Sequence, residues 1–108
     1  KTPKDYSFDK VGIKGKIFPV EEITPRTGIC LIETEKGHES TIIEHKCDFV
    51  YYILEGKGYF IINDEKEECE KGDLVVVPSG SRFRYVGELK MLLITTPAFY
   101  LEQEETLG

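Results

Sequence analysis

GDLVVVPSG, residues 72–80, is the stretch that decides the fold. Gly72 opens a turn that leads into the run Leu74–Val77, and Pro78 to Gly80 turn the chain again. Valine favours the pleated surface of a β-sheet, whereas glycine and proline supply the backbone angles of tight turns. This stretch therefore predicts a short strand held between two turns.

The same succession of short apolar runs and turn residues continues in both directions. Predicted strands cover residues 16–23, 29–34, 41–45, 49–54, 59–62, 74–77, 83–86 and 89–95. Glu55–Gly58 is predicted to be a turn, and Asn63–Lys66 to close a hairpin. Because no segment before Thr96 has a sustained apolar period of 3.6 residues, the sequence predicts an all-β fold.

The composition is that of one folded domain of 108 residues, with 40% hydrophobic and 31% charged residues. We expect a barrel at about residues 16–96, an N-terminal arm at 1–15 and a C-terminal tail at 97–108. The net charge of −6 argues against nucleic acid and anionic membranes as partners, because both attract basic surfaces. No apolar run is long enough to span a bilayer, and the first residues lack the apolar stretch of a signal peptide.

Cysteine usage points to a reducing compartment. The chain has three cysteines, Cys30, Cys47 and Cys69. Their odd number and wide spacing fit neither a disulfide framework nor a C-x-x-C metal site. We therefore expect buried free thiols in a cytoplasmic protein.

The positions of glycine and proline resemble the two motifs of the cupin family. The first motif is a glycine, five residues, His-x-His, three or four residues, Glu, six residues and a glycine; Gly37 and Gly56 hold its ends here. The second is a glycine, five residues, Pro-x-Gly, two residues, His, three residues and Asn; Gly72, Pro78 and Gly80 hold its anchors. The resemblance implies a small single-domain cupin, a double-stranded β-helix or RmlC-like jelly-roll barrel.

In that family two histidines, a glutamate and a third histidine converge on one metal ion. By this resemblance, the four positions here hold Ile43, His45, Phe49 and Phe83. A first gap of four residues would place Ile42 and Glu44 at the histidine positions instead. Either frame leaves one possible ligand of four, whereas three or four are usual, so we predict no metal and no other cofactor. A rearranged metal site would need donors from His38, Glu39, Glu44 or Asp48.

Five residues are predicted to form the functional site. His45 is the candidate acid or base, because histidine titrates near neutral pH. Phe49 and Phe83 make the interior apolar, and Tyr51 and Tyr85, two residues further along, share the inward face and would orient a ligand. The competing interpretation is a histidine satisfied by a carbonyl or a hydroxyl, with both tyrosines packed in the core.

These residues favour a small organic ligand, such as a sugar or a sugar derivative, bound in the barrel without a metal. The resemblance implies two enzymatic alternatives. One is a metal-independent sugar isomerase or epimerase with His45 as base, and the other is a metal-dependent dioxygenase or isomerase. The fourth hypothesis is a structural or regulatory protein whose core is filled by side chains. The central hairpin is apolar on both faces through Val50, Tyr52, Leu54, Tyr59 and Ile62, so we also expect a homodimer.

Overall fold

The computed structural model describes residues 1–10, 12–20, 23–24, 26–96 and 104–106, without the side chains of Lys10, Glu39 and residues 104–106. In this part of the chain the strands are β1 (Phe8–Lys10), β2 (Ile13–Ile17), β3 (Gly28–Thr34), β4 (Gly37–Glu44), β5 (Asp48–Ile62), β6 (Glu65–Glu70), β7 (Leu74–Val77), β8 (Arg82–Thr96) and β9 (Glu104–Thr106). Every pairing between them is antiparallel. The predicted all-β fold is confirmed.

Two long strands, β5 and β8, connect the layers of the fold. Each has 15 residues, and they pair with each other from Asp48 and Thr96 to Ile62 and Phe83. The first half of β5 also pairs with β7 and the second half with β6, while β8 pairs first with β4 and then with β3. The result is a jelly roll of two facing layers, β1-β2-β3-β8-β5-β7 and β9-β4-β8-β5-β6.

The turn predicted at Glu55–Gly58 is wrong, because these residues lie inside β5. Gly56 has a φ of 89°, and its neighbourhood contains an irregularity in the pairing with β8. A Cβ on Gly58 would collide with the main-chain carbonyl oxygen of Val86. The glycines therefore let one continuous strand bend from the first layer into the second, which is a usual role for glycine in strands.

The first strand is also placed differently from its prediction at residues 16–23. Strands begin at Phe8, and β2 ends at Ile17, two residues before Pro19, which has no N–H to give to a ladder. Both early strands lie largely within the predicted arm, residues 1–15, and β2 pairs with β3. In the predicted tail, β9 pairs with β4, whereas residues 97–103 and 107–108 lie outside the described residues.

The core lies between the two layers. Its largest fully buried side chains are Phe49, Phe60, Phe83, Ile53, Met91 and Cys47. The half of the core beneath β4, β5 and β8 is mainly aromatic, and this is where four of the five predicted site residues meet.

Gly37 fixes how β4 approaches β8 beside this aromatic region. Its φ is 88° and that of Gly72 is 94°, so alanine costs about 1–2 kcal/mol at either position. A Cβ on Gly37 would also collide with the carbonyl oxygen of Tyr85, whereas nothing lies within 4 Å at Gly72. We expect Gly37→Ala to lower the free energy of unfolding by a further 1–3 kcal/mol or so compared with Gly72→Ala. Urea denaturation measures both, and equal losses would contradict the close approach.

Candidate functional site

Four of the five predicted site residues meet in the interior. Phe49 and Tyr51 on β5 and Phe83 and Tyr85 on β8 are all buried. The ring centroids of Phe49 and Phe83 are 5.8 Å apart, and those of Tyr51 and Tyr85 are 5.7 Å apart. Phe60 joins them, 5.0 Å from Tyr51 and 5.1 Å from Tyr85. Edge-on and tilted contacts at such distances are favourable between aromatic rings. These five side chains form what we call the aromatic cluster.

The imidazole that reaches the aromatic cluster belongs to His38, which the sequence analysis considered only as a metal donor. His38 lies opposite Tyr85 in the β4–β8 ladder and is 5% exposed. Its ring centroid is 4.0 Å from that of Tyr85 and 5.4 Å from that of Phe83, both in edge-on geometry. His38 is therefore the imidazole within reach of a ligand bound among these rings.

A main-chain contact fixes the orientation and the tautomer of His38. Nδ1 lies 2.9 Å from the carbonyl oxygen of Ser40. A carbonyl oxygen can only accept, so Nδ1 carries the proton and the neutral ring keeps its lone pair on Nε2. The ring thus has the orienting partner that a general base needs.

Burial keeps His38 neutral. Removal from water lowers the pKa of His38 from 6.5 to about 4, and the positive charge of Arg84 acts in the same direction. The hydrogen bond to Ser40 opposes this shift but does not cancel it. At neutral pH the ring is a proton acceptor.

His45, the histidine predicted for the site, lies outside the aromatic cluster. It follows the end of β4 and is exposed. In the β4–β8 ladder, His38 lies opposite Tyr85 and Ile42 lies opposite Phe83, and the irregularity between them adds two residues without changing the face. Residues with even numbers therefore face inward at both ends of β4, and His45 turns outward after buried Glu44. In the first cupin motif, the gap of four residues places Ile42 and Glu44 at the histidine positions and so agrees with the inward face of this strand. The gap of three residues does not.

Glu44 occupies an inward position and is almost fully buried, with 3% of its surface exposed. Its Oε1 accepts hydrogen bonds from the main-chain N–H groups of Lys46, at 2.7 Å, and Cys47, at 3.1 Å. Its Oε2 is buried without a hydrogen-bond partner among the residues that the structure describes. This carboxylate is a second polar group of the interior, and like His38 it was predicted only as a possible metal donor.

Among the described residues, the donors do not make up the usual ligand set of a divalent transition metal. Nowhere in the described ranges do three or more His, Cys, Asp or Glu side chains come together. Asp48 is exposed, and the side chain of Glu39 lies outside the described residues. The remaining inward donors, one imidazole and one carboxylate oxygen, are fewer than the three or four ligands that such ions require.

The three cysteines are buried free thiols, as predicted. Burial raises the pKa of Cys30 to about 12 and that of Cys47 to about 11, and it also raises the pKa of Cys69. A thiol with a raised pKa is a poor nucleophile, so these side chains have packing roles.

Among the described residues, no helix is long and apolar enough to cross a bilayer.

Comparison with protein families gives a match to the cupin domain over residues 30–95. The chain belongs to the cupin family. The predicted jelly-roll fold and family are thereby confirmed. The match includes His38, the aromatic cluster and Glu44.

Curated relatives of this cupin match only in part. The uncharacterized protein MJ1618 of Methanocaldococcus jannaschii is 36% identical over 62 residues, covering 54% of this chain and 50% of the relative. The human acireductone dioxygenase is 37% identical over 51 residues, covering 43% of this chain and 28% of the enzyme. The chain thus spans half or less of the length of these relatives.

Solved structures give a more extensive likeness. A variant of Streptomyces Pac13 with uridine is 26% identical, covers 99% of this chain and 92% of that one, and superimposes with a TM-score of 0.86. Pac13 is described as a nucleoside dehydratase. Its solved complexes with uridine include one His→Gln and two Tyr→Phe variants.

Proposed function

We propose that this cupin binds a nucleoside-like small molecule in the aromatic cluster and catalyses the removal of water from it without a metal. The observation that carries the proposal is the state of His38: a buried, neutral imidazole whose Nδ1 is held by Ser40 and whose ring lies beside Tyr85. Such a group is arranged to accept a proton within an apolar site. A nucleoside is a sugar derivative, so the proposal narrows the predicted ligand class.

The spacing of the residues supports the same chemistry. His38 and Tyr51 are 13 residues apart, and Tyr51 and Tyr85 are 34 residues apart. The histidine and the two tyrosines substituted in the Pac13 complexes with uridine have these same separations, 13 and 34 residues. A shared His–Tyr–Tyr set on a shared fold is evidence from the site rather than from the fold alone.

Dehydration needs one proton acceptor and one proton donor. Nε2 of His38 takes the proton from a carbon, and the electrons of that C–H bond form a C=C bond. The C–O bond on the neighbouring carbon breaks, and the departing oxygen leaves as water with a proton from the hydroxyl of Tyr51 or Tyr85. Transfer of the proton from His38 back to the tyrosinate restores both groups. An imidazole removes a carbon-bound proton readily only beside a carbonyl, so the substrate class is a nucleoside with a carbonyl next to that carbon.

The test combines binding and turnover. Calorimetry measures uridine binding, and mass spectrometry follows nucleosides with a sugar carbonyl for the loss of one water. We expect the wild-type protein to release water from such a nucleoside. We expect the Tyr51→Phe or the Tyr85→Phe variant not to do so. The proposal is overturned if the protein neither binds uridine nor dehydrates any such nucleoside.

The predicted homodimer remains a proposal, and the outer face of the first layer is the surface that supports it. Two rows of apolar side chains cross β3, β8, β5 and β7 in register there. The outer face consists of Leu31, Leu92, Tyr52 and Leu74 in one row and Ile29, Ile94, Val50 and Val76 in the other. Leu74 and Val76 are 60% and 51% exposed. Since the chain carries a net charge of −6, two copies repel least where they meet through this uncharged face.

A charge on the outer face is expected to separate the dimer. Leu74→Glu would place a carboxylate in the apolar contact, and the dissociation constant should rise at least about tenfold. Ile23→Glu, at an 88% exposed position outside this face, is the matched control and should leave the dimer unchanged. Sedimentation equilibrium measures both variants. A wild-type monomer at high micromolar concentration, or a dimer that Leu74→Glu does not weaken, contradicts the proposal.

A further inference from the structure

Glu44 has one carboxylate oxygen that the chemistry above does not use. The two main-chain donors of Lys46 and Cys47 both go to Oε1. Oε2 has no partner within the described part of the chain, although Glu44 is only 3% exposed. Buried polar atoms are nearly always paired, and a buried carboxylate oxygen without a donor is costly. This oxygen is thus a place where a bound molecule can supply a donor.

The position of Glu44 in β4 places its side chain on the inward face of the strand. Ile42 lies opposite Phe83 and packs against the core, and Glu44, two residues later in the same strand, is on the same face. The main-chain carbonyl of Glu44 accepts a hydrogen bond of 2.8 Å from the N–H of Gly80, which holds the end of β4 in place. The oxygen therefore belongs to the interior that contains His38.

Glu44 and His38 are buried on the same face of β4, one near each end of the strand. His38 lies opposite Tyr85 and Ile42 lies opposite Phe83. The four-residue step from His38 to Ile42 therefore covers the same distance along the sheet as the two-residue step from Tyr85 to Phe83. With the next two residues added, the α-carbons of His38 and Glu44 are about 13 Å apart. That separation is comparable to the length of one nucleoside.

We propose that Glu44 selects the ligand: its Oε2 accepts a hydrogen bond from an N–H or O–H group of the nucleoside bound at His38. The inference rests on the proposed function. The imide N–H of a uracil base and the 2′-hydroxyl of a ribose are the two donors that we consider. A ligand without it leaves the carboxylate oxygen buried and unpaired, so the site rejects that ligand strongly.

The test compares uridine with 3-methyluridine, which lacks the imide N–H, and with 2′-deoxyuridine, which lacks one hydroxyl. We expect wild-type protein to bind uridine at least about tenfold more tightly than one of these analogues. In Glu44→Gln the amide nitrogen replaces Oε2 and cannot accept, so the preference for uridine should disappear. The analogue that shows the Glu44-dependent loss identifies the donor as base or ribose. Calorimetry measures all affinities.

Asp48→Asn is the matched control, because Asp48 is an exposed acid whose Oδ1 also accepts a main-chain N–H, that of Ser79. It should keep the preference for uridine. If Glu44→Gln binds uridine and both analogues with wild-type ratios, the inference is overturned while the proposed function stands. If wild-type protein binds no nucleoside, the proposed function itself fails. Should Glu44→Gln not fold, Glu44→Asp replaces it and must reduce the preference; equal wild-type affinities for all three nucleosides overturn the inference without any variant.

Discussion

His38→Gln is expected to lower the rate of nucleoside dehydration by about 10²–10⁴-fold, the range typical for loss of a general base. The amide of glutamine can still donate to the Ser40 carbonyl, but it has no lone pair able to accept a proton from carbon. The aromatic cluster remains, so uridine affinity should change much less than turnover. Steady-state kinetics with a carbonyl-bearing nucleoside measures the effect, and calorimetry with uridine measures the binding.

His45→Gln is the matched control, since it removes the other histidine of the chain, an exposed one, by the same substitution. It should retain wild-type turnover. An active His38→Gln variant, or a His45→Gln variant that loses as much activity as His38→Gln, contradicts the assignment of the base to His38. Thermal unfolding of both variants shows whether a loss of turnover reflects a loss of fold.

The second large effect is expected in the pH dependence of stability. The pKa of His38 is lowered to about 4 in the folded protein, compared with 6.5 for the exposed ring. Between these values the unfolded chain binds a proton that the folded chain does not, so stability falls as the pH drops from 6.5 to 4. A difference of that size corresponds to about 3 kcal/mol, which is fully present above pH 6.5 and is lost below pH 4.

Comparison with His38→Gln isolates this contribution, because other groups also titrate in acid. Free energies of unfolding from urea titrations at pH 7.5 and at pH 4 give one difference for each protein. The wild-type difference should exceed that of the variant by about 3 kcal/mol. Equal differences in the two proteins would show that the imidazole of His38 is not buried in its neutral form.

Much of the fold could be predicted because its strands and most of its turns are local features. The run Leu74–Val77 between Gly72 and Pro78 is a strand in the structure, as its β-branched residues indicate. The prediction of a turn at Glu55–Gly58 was wrong because glycine is found in two different backbone settings. It can reverse a chain, or it can let a continuous strand bend against a neighbour, and only the partner strand β8 decides between them.

The site could be predicted where alternation holds and not where it is interrupted. Phe49 and Tyr51, like Phe83 and Tyr85, lie two residues apart in regular strands, so their common face was predictable. His38 was not placed with them because the predicted strand began at Thr41, whereas β4 begins at Gly37. The irregularity between His38 and Ile42 adds two residues to β4 relative to β8, and nothing in the local composition reveals it.

Each cysteine reports on the integrity of the structure without an added label. Cys30, Cys47 and Cys69 lie in different parts of the core and share burial and a raised pKa. An alkylating reagent therefore modifies them at the rate at which each region opens, and mass spectrometry resolves the three positions in one sample. In every variant described above, the alkylation rates of the three cysteines therefore measure how often each region opens, and these rates can be compared directly between variants.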